Sequence, residues 1–149
     1  MQVDKVSLND VYELLTTQLK DGGTVRFKPK GTSMLPTLRQ GVDEVVISTL
    51  KKKPKKYDIL FYRRANGQFV LHRLIKMHKG EYVMRGDHQF EYEYSITDDN
   101  IIGVVSEIYR DGRCIKRGSV EFLLWGSLGA LYYRCRVRLR NTVKRFSRR

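Results

Sequence analysis

Residues 57–77, Tyr-Asp-Ile-Leu-Phe-Tyr-Arg-Arg-Ala-Asn-Gly-Gln-Phe-Val-Leu-His-Arg-Leu-Ile-Lys-Met, decide the fold class of this chain. Two runs of aliphatic and aromatic residues flank Asn66-Gly67, a dipeptide suited to the left-handed backbone of a tight hairpin. The reading is a strand over Tyr57 to Arg63, a two-residue turn, and a returning strand over Phe69 to Met77. Downstream, Lys79-Gly80 turns the chain into a strand at Glu81 to Arg85. A polar loop is expected from Gly86 to Asn100, then strands at Ile101 to Tyr109 and Arg113 to Lys116 around the turn Asp111-Gly112. Upstream, alternation begins at Thr24, with Val25 and Phe27 as strand residues, and a second strand spans Val42 to Leu50. Six or seven short strands joined by glycine-containing turns predict an all-β barrel or sandwich.

A helix is expected at each end. Leu8, Val11, Tyr12, Leu15 and Leu19 recur at helical spacing over Leu8 to Lys20, and Asp21-Gly22-Gly23 stops the helix. Ser7 is placed as its N-cap with Asp10 at the third position, and Val6 and Val11 as a hydrophobic staple. Ser119 can cap a C-terminal amphipathic helix whose stripe is Leu124, Leu128, Leu131, Cys135, Leu139 and Phe146, interrupted by Gly126 and Gly129. These elements divide the chain into a β-rich unit over residues 1–118, N-terminal helix included, and a helix with basic tail over 119–149.

The net charge is +13, and eight basic residues with no acidic one lie between Arg134 and Arg149. Leucine, tryptophan and tyrosine followed at once by arginines fit a helix lying in an anionic membrane interface. They also fit a helix docked on the sheet with a solvated basic tail, and both readings stay open. Nucleic acid ranks lowest as a partner, because no base-reading helix or stacking platform accompanies the charge. The lysines at 51, 52, 53, 55 and 56 read as a solvated loop. Cys114 and Cys135 lack metal-ligand or redox spacing, so neither metal nor cofactor is expected. Neither a transmembrane run nor a signal-peptide pattern is present, so the expected location is the cytoplasm, with peripheral attachment to the inner membrane face through the C-terminal helix.

Residues 30–38, Lys-Gly-Thr-Ser-Met-Leu-Pro-Thr-Leu, follow neither period. Gly31 and Pro36 constrain the backbone and hold Ser33 in an irregular loop. Alone, such a serine is a turn residue with a local hydrogen bond. A serine nucleophile needs a base, a group that orients the base, and oxyanion donors. His72 lies mid-strand with a fixed facing, whereas His78 ends a strand and His88 lies in a loop. An imidazole is a suitable proton acceptor near neutral pH.

Gly31-Thr32-Ser33-Met34-Leu35-Pro36-Thr37 resembles the Ser-Met-x-Pro box of the clan that holds type I signal peptidases and LexA-type self-cleaving repressors. Four further boxes resemble it in order: Tyr57-Asp58-Ile59-Leu60, Leu71-His72-Arg73-Leu74-Ile75, Arg85-Gly86-Asp87-His88 and Ile102-Gly103-Val104-Val105. The resemblance spans about Val25 to Ile108 and lies with the branch that has histidine followed by arginine at the base position. It implies a mainly β, LexA/signal peptidase-like complex β-barrel or sandwich, and a serine endopeptidase with Ser33 as nucleophile and His72 as general base. It also implies a carboxylate that orients the base, with Asp87 and Glu93 ranked together and Glu91 behind. The Ser33 N–H would hold the oxyanion. Gly31 stands where the family often has a hydroxyl, with Thr32 beside it as a substitute and Met34 next to the nucleophile. The implied partner is a peptide or precursor protein. The competing reading is an inactive peptidase-like module that binds a peptide, a membrane lipid or nucleic acid.

Overall fold

The computed structural model describes residues 8–146. It is mainly β. Helix α1 (Leu8–Lys20) leads into β1 (Thr24–Phe27) and β2 (Glu44–Ser48), then β3 (Ile59–Arg63), β4 (Phe69–His78), β5 (Glu81–Arg85) and β6 (Glu93–Ile96). A single 3-10 turn at Asp98–Asn100 precedes β7 (Ile101–Arg110) and β8 (Arg113–Lys116), and helix α2 (Val120–Phe146) closes the described chain. Every strand pairing is antiparallel, in the order β1-β2-β7-β3-β4-β5-β6, with β8 added to β7. The two ends of this order, β1 and β6, do not pair, so the sheet is not a closed barrel.

Strand β3 shows why the sheet is buried on both sides. Its side chains alternate between two apolar clusters: Ile59 and Phe61 face one that includes Val45, Ile47, Leu71, Val105 and Ile108, and Leu60 and Tyr62 face one that includes Leu74, Tyr82, Met84 and Val104. Helix α1 adds Leu19 to the first cluster, and the Tyr12 ring stacks 6.4 Å from Phe69. The Ser7 cap and the Val6–Val11 staple lie outside the described residues.

Three elements differ from expectation. The hairpin loop is three residues, Ala65 to Gly67, because Arg64 N–H donates to Gln68 C=O and Gly67 N–H to Arg64 C=O, with Gly67 at φ +85°. That is a turn followed by a glycine bulge rather than a two-residue connection. The expected polar loop from Gly86 to Asn100 contains β6, which pairs through Tyr82↔Ile96 and Met84↔Glu93. The second strand is shorter than the Val42–Leu50 run.

The two readings of the α2 stripe left open which face is buried. Ser119 Oγ accepts from Phe122 N–H at 3.2 Å, an N-cap as expected. The leucine stripe, however, points outward, with Leu124 53%, Leu128 57%, Leu131 56% and Leu139 66% exposed, and Cys135 exposed as well. The docked face is instead Phe122, Gly126 and Gly129, with half-buried Trp125, Tyr133 and Arg136. The glycines make the seat: a Cβ at Gly126 would fall 2.8 Å from the Tyr57 Cβ, and one at Gly129 3.6 Å from the Asp87 carboxylate. Close backbone approach outweighs the low helix propensity of glycine, and burying Phe122 contributes roughly 2 kcal/mol. Further along, Arg136 donates to His88 C=O at 2.7 Å, and the guanidiniums of Arg136 and Arg140 each lie 4.5 Å from the Phe90 ring centroid. Part of the basic tail therefore clamps the loop after β5. Among the described residues no helix is long and apolar enough to cross a membrane.

Candidate functional site

The period of two in β4 sends His72 and Arg73 to opposite faces, and each arranges a different part of the site. His72 is 1% exposed and pairs across the sheet with Leu60. Tyr62 stands two residues along β3 on the same face. Glu93 arrives from β6, where it pairs with Met84, itself paired with Leu74 two residues along from His72. His72 Nδ1 lies 2.9 Å from Glu93 Oε1 and 3.1 Å from the Tyr62 hydroxyl. Arg64, at the end of the hairpin loop, donates through Nε to Glu93 Oε2 at 2.9 Å and through Nη2 to Glu93 Oε1.

These contacts set the charge states. Burial raises the Glu93 carboxyl, but hydrogen bonds from His72 and Arg64 outweigh it and hold the group at about 2. Burial and then the Glu93 charge push the Tyr62 hydroxyl upward. With an ionised carboxylate at Nδ1, the proton of a neutral imidazole belongs on Nδ1, which leaves the Nε2 lone pair as acceptor.

On the other face Arg73 forms a buried bidentate pair with Asp87, Nε to Oδ1 at 2.8 Å and Nη2 to Oδ2 at 2.6 Å. The Thr37 hydroxyl donates to Asp87 Oδ2 at 2.5 Å and accepts from Arg73 Nη2 at 3.2 Å, while Arg73 Nη1 donates to Tyr57 C=O at 2.9 Å. This cluster fastens the far end of the Ser33 loop beneath α2. Of the three carboxylates singled out in the sequence, Glu93 is at His72, Asp87 is engaged by Arg73 and Thr37, and Glu91 is exposed.

The Ser33 loop is held at several points. Met34 and Leu38 are buried in the core, Leu38 N–H donates to Met34 C=O at 2.9 Å, and Arg110 Nη2 donates to Thr37 C=O at 2.8 Å. Ser33 C=O accepts from His88 N–H at 2.8 Å. That approach requires Gly86, where a Cβ would fall 2.6 Å from the Ser33 oxygen. Ser33 is half-buried, Thr32 and Gly31 are exposed, and Gly31 has φ +93°. Among the described residues neither the Ser33 hydroxyl nor the N–H groups of Ser33 and Met34 have a hydrogen-bond partner.

Ser33 and His72 line one cleft of about 540 Å³, with Gly31, Met34, Arg64 and Gln89, walled by Phe27, Phe61, Phe69 and Leu71. Along this wall Phe69 to His72 pair with β3 on one side, and pairing with β5 begins only at Arg73. The N-terminal half of β4 thus presents an unpaired edge among the described residues. Together these groups offer a hydroxyl, an oriented imidazole, two unengaged N–H donors and a strand edge in one cleft. Such an arrangement can carry acyl transfer on a peptide. Among the described residues no three His, Cys, Asp or Glu side chains cluster to hold a metal ion.

Sequence reasoning missed Tyr62 and Arg64. Both lie in the hairpin, and a period-two reading from His72 through its register partner Leu60 would have put Tyr62 on the same face. Arg64 needed the three-residue loop. Compared with known protein families the chain matches no family model, and no curated protein matches it in sequence.

Proposed function

We propose that this chain is a serine endopeptidase of the signal peptidase and LexA-like type, acting in the cytoplasm on a peptide or precursor protein. The observation that carries the reading is the cleft shared by Ser33 and His72, with Glu93 at the Nδ1 side of the imidazole. In this mechanism Ser33 Oγ attacks the scissile carbonyl carbon and its proton passes to His72 Nε2. Glu93, kept ionised by Arg64 and His72, stabilises the imidazolium. The Ser33 N–H, with the Met34 N–H beside it, holds the oxyanion. The imidazolium then gives its proton to the leaving amine, and water, deprotonated by His72, releases the acyl group from Ser33. An extended substrate adds to the edge of β4 at Phe69 to His72, with side chains set into the apolar cleft.

Resemblance of the five sequence boxes supports the same assignment. The test is mass spectrometry of a peptide library incubated with wild type, Ser33→Ala and His72→Ala, each with its fold verified by circular dichroism. Cuts made by wild type and absent in both variants are expected. An uncut library with folded wild type would sink the peptidase reading in favour of a binding module with the same groove.

A further inference from the structure

Two features of α2, a stripe on its outer surface and a cleft at its edge, are not used by the peptidase reading. Leu124, Leu128, Leu131, Cys135 and Leu139 recur at three- and four-residue spacing on one exposed stripe, each leucine more than half exposed. A contiguous apolar stripe of this size on a helix already docked by its opposite face marks an interaction surface. Beside it lies a cleft of about 170 Å³ lined by Lys56, Arg85, Arg134, Tyr57, Tyr92 and Tyr133.

Arg85 is the telling residue. It is 3% exposed, its guanidinium sits 3.6 Å from the Tyr133 ring centroid, and its Nη1 donates to the Tyr92 hydroxyl at 3.1 Å. Its Nε has no partner. Among the described residues no carboxylate pairs with Arg85, Lys56 or Arg134, whereas Arg73, equally buried, has Asp87. A buried guanidinium without a counter-charge, rimmed by two exposed cations, is a site for an anion.

We infer that the outer face of α2 docks on an anionic phospholipid bilayer, its leucine stripe in the acyl boundary and a headgroup phosphate held between Lys56, Arg85 and Arg134. Position on the helix joins the two features: Arg134 follows Leu131 by three residues, so the phosphate site borders the apolar stripe. Charge selects the occupant. In a second copy on the same face, the arginine rows of two chains of net charge +13 would oppose each other. Zwitterionic lipid offers no net negative surface for the cationic rim, whereas an anionic headgroup does. The inference stands apart from the peptidase reading, because it uses no residue of the Ser33 cleft.

The experiment is flotation of the full chain with phosphatidylcholine vesicles and with vesicles containing one quarter phosphatidylglycerol. Fluorescence of Trp125, the single tryptophan, which lies on α2, is followed in parallel. Binding is expected only to the anionic vesicles. Lys56→Gln and Arg134→Gln should each weaken it about fivefold, and Leu128→Ser with Leu131→Ser by roughly tenfold or more. All four positions are exposed, and denaturation midpoints control for folding. A thermal-shift series with inorganic phosphate and glycerol phosphate separates a soluble anion from a bilayer. No flotation, equal flotation with both compositions, stabilisation by soluble phosphate without vesicle binding, or a dimer that the paired leucine substitution dissolves would each overturn the inference.

Discussion

Asp87→Asn separates the two carboxylates that the sequence left side by side. In the folded protein both Asp87 oxygens receive Arg73, and Thr37 donates to one of them, with the Asp87 and Arg73 side chains almost wholly out of water. Removing one partner of a buried ion pair costs about 3–5 kcal/mol, because the remaining charge keeps its desolvation penalty. An asparagine oxygen can still accept one Arg73 bond, so the lower end, about 3 kcal/mol, is expected. That is a large part of the roughly 5–15 kcal/mol that a domain possesses. It corresponds to a fall of about 6–12 °C in Tm for a chain of this length, or of about 1.5 M in the urea midpoint at a slope near 2 kcal/mol per molar. Adding Arg73→Met to Asp87→Asn should recover part of the loss, since no charge is then left buried. Glu93→Gln should behave differently. Its stability at pH 7 should stay closer to wild type than that of Asp87→Asn, while Ser33-dependent cleavage falls about 10²–10⁴-fold, as expected when the group fixing the imidazole tautomer is neutralised. Urea denaturation of the three variants reads the first effect and single-turnover cleavage the second. An Asp87→Asn midpoint within about 0.5 M of wild type would refute the account of the buried pair.

Acid should unfold the protein through particular carboxyls. Burial raises Asp43, but hydrogen bonds from Arg110 and Arg39 hold it at about 2, and Glu93 is likewise held at about 2. Both groups titrate lower in the folded chain than in the unfolded one, where they lie near ~4. Their contribution is complete above about pH 5 and is lost as pH falls from about 4 to 2. The urea midpoint should drop through that window, and less steeply in Glu93→Gln; a flat midpoint from pH 5 to 2.5 would contradict the assignment. Gly126→Leu places a side chain where even a Cβ would meet the Tyr57 Cβ at 2.8 Å, and it should lift α2 at a cost of about 1–3 kcal/mol. Trypsin cutting at Arg134 and Arg136 should then accelerate severalfold, and an unchanged digestion rate would mean that α2 does not sit on Tyr57.

Legibility of the fold followed the range of the forces involved. Asn66-Gly67, the alternation of Val25 and Phe27 and the helical spacing of Leu15 and Leu19 act over a few residues, and each marked its element. Strand β6 was missed although Tyr92, Tyr94 and Ile96 alternate with Glu93 and Ser95, because a four-residue strand inside a polar stretch gives a weak local signal and its pairing with β5 is long-range. Which face α2 buries was left open for a related reason. Hydrophobic periodicity assumes that the largest apolar side chains go inward, but Gly126 and Gly129 gain contact by letting the backbone approach Tyr57 and Asp87, and glycine has no hydropathy with which to announce that. In the candidate site, Ser33 and His72 stood out as a hydroxyl in an irregular loop and an imidazole fixed in a strand.

The sequence by itself determined the β-rich class, the two terminal helices, most strand positions and the residue types available for acyl-transfer chemistry, because local propensity and periodicity are written in adjacent residues. Tertiary structure alone decided which carboxylate meets His72. Asp87 and Glu93 are close in sequence, and only the register of β6 on β5 and the opposite facing of His72 and Arg73 send Glu93 to the imidazole and Asp87 to the guanidinium. It also decided that the leucines of α2 face outward, since which side of a helix is buried depends on the surface it meets.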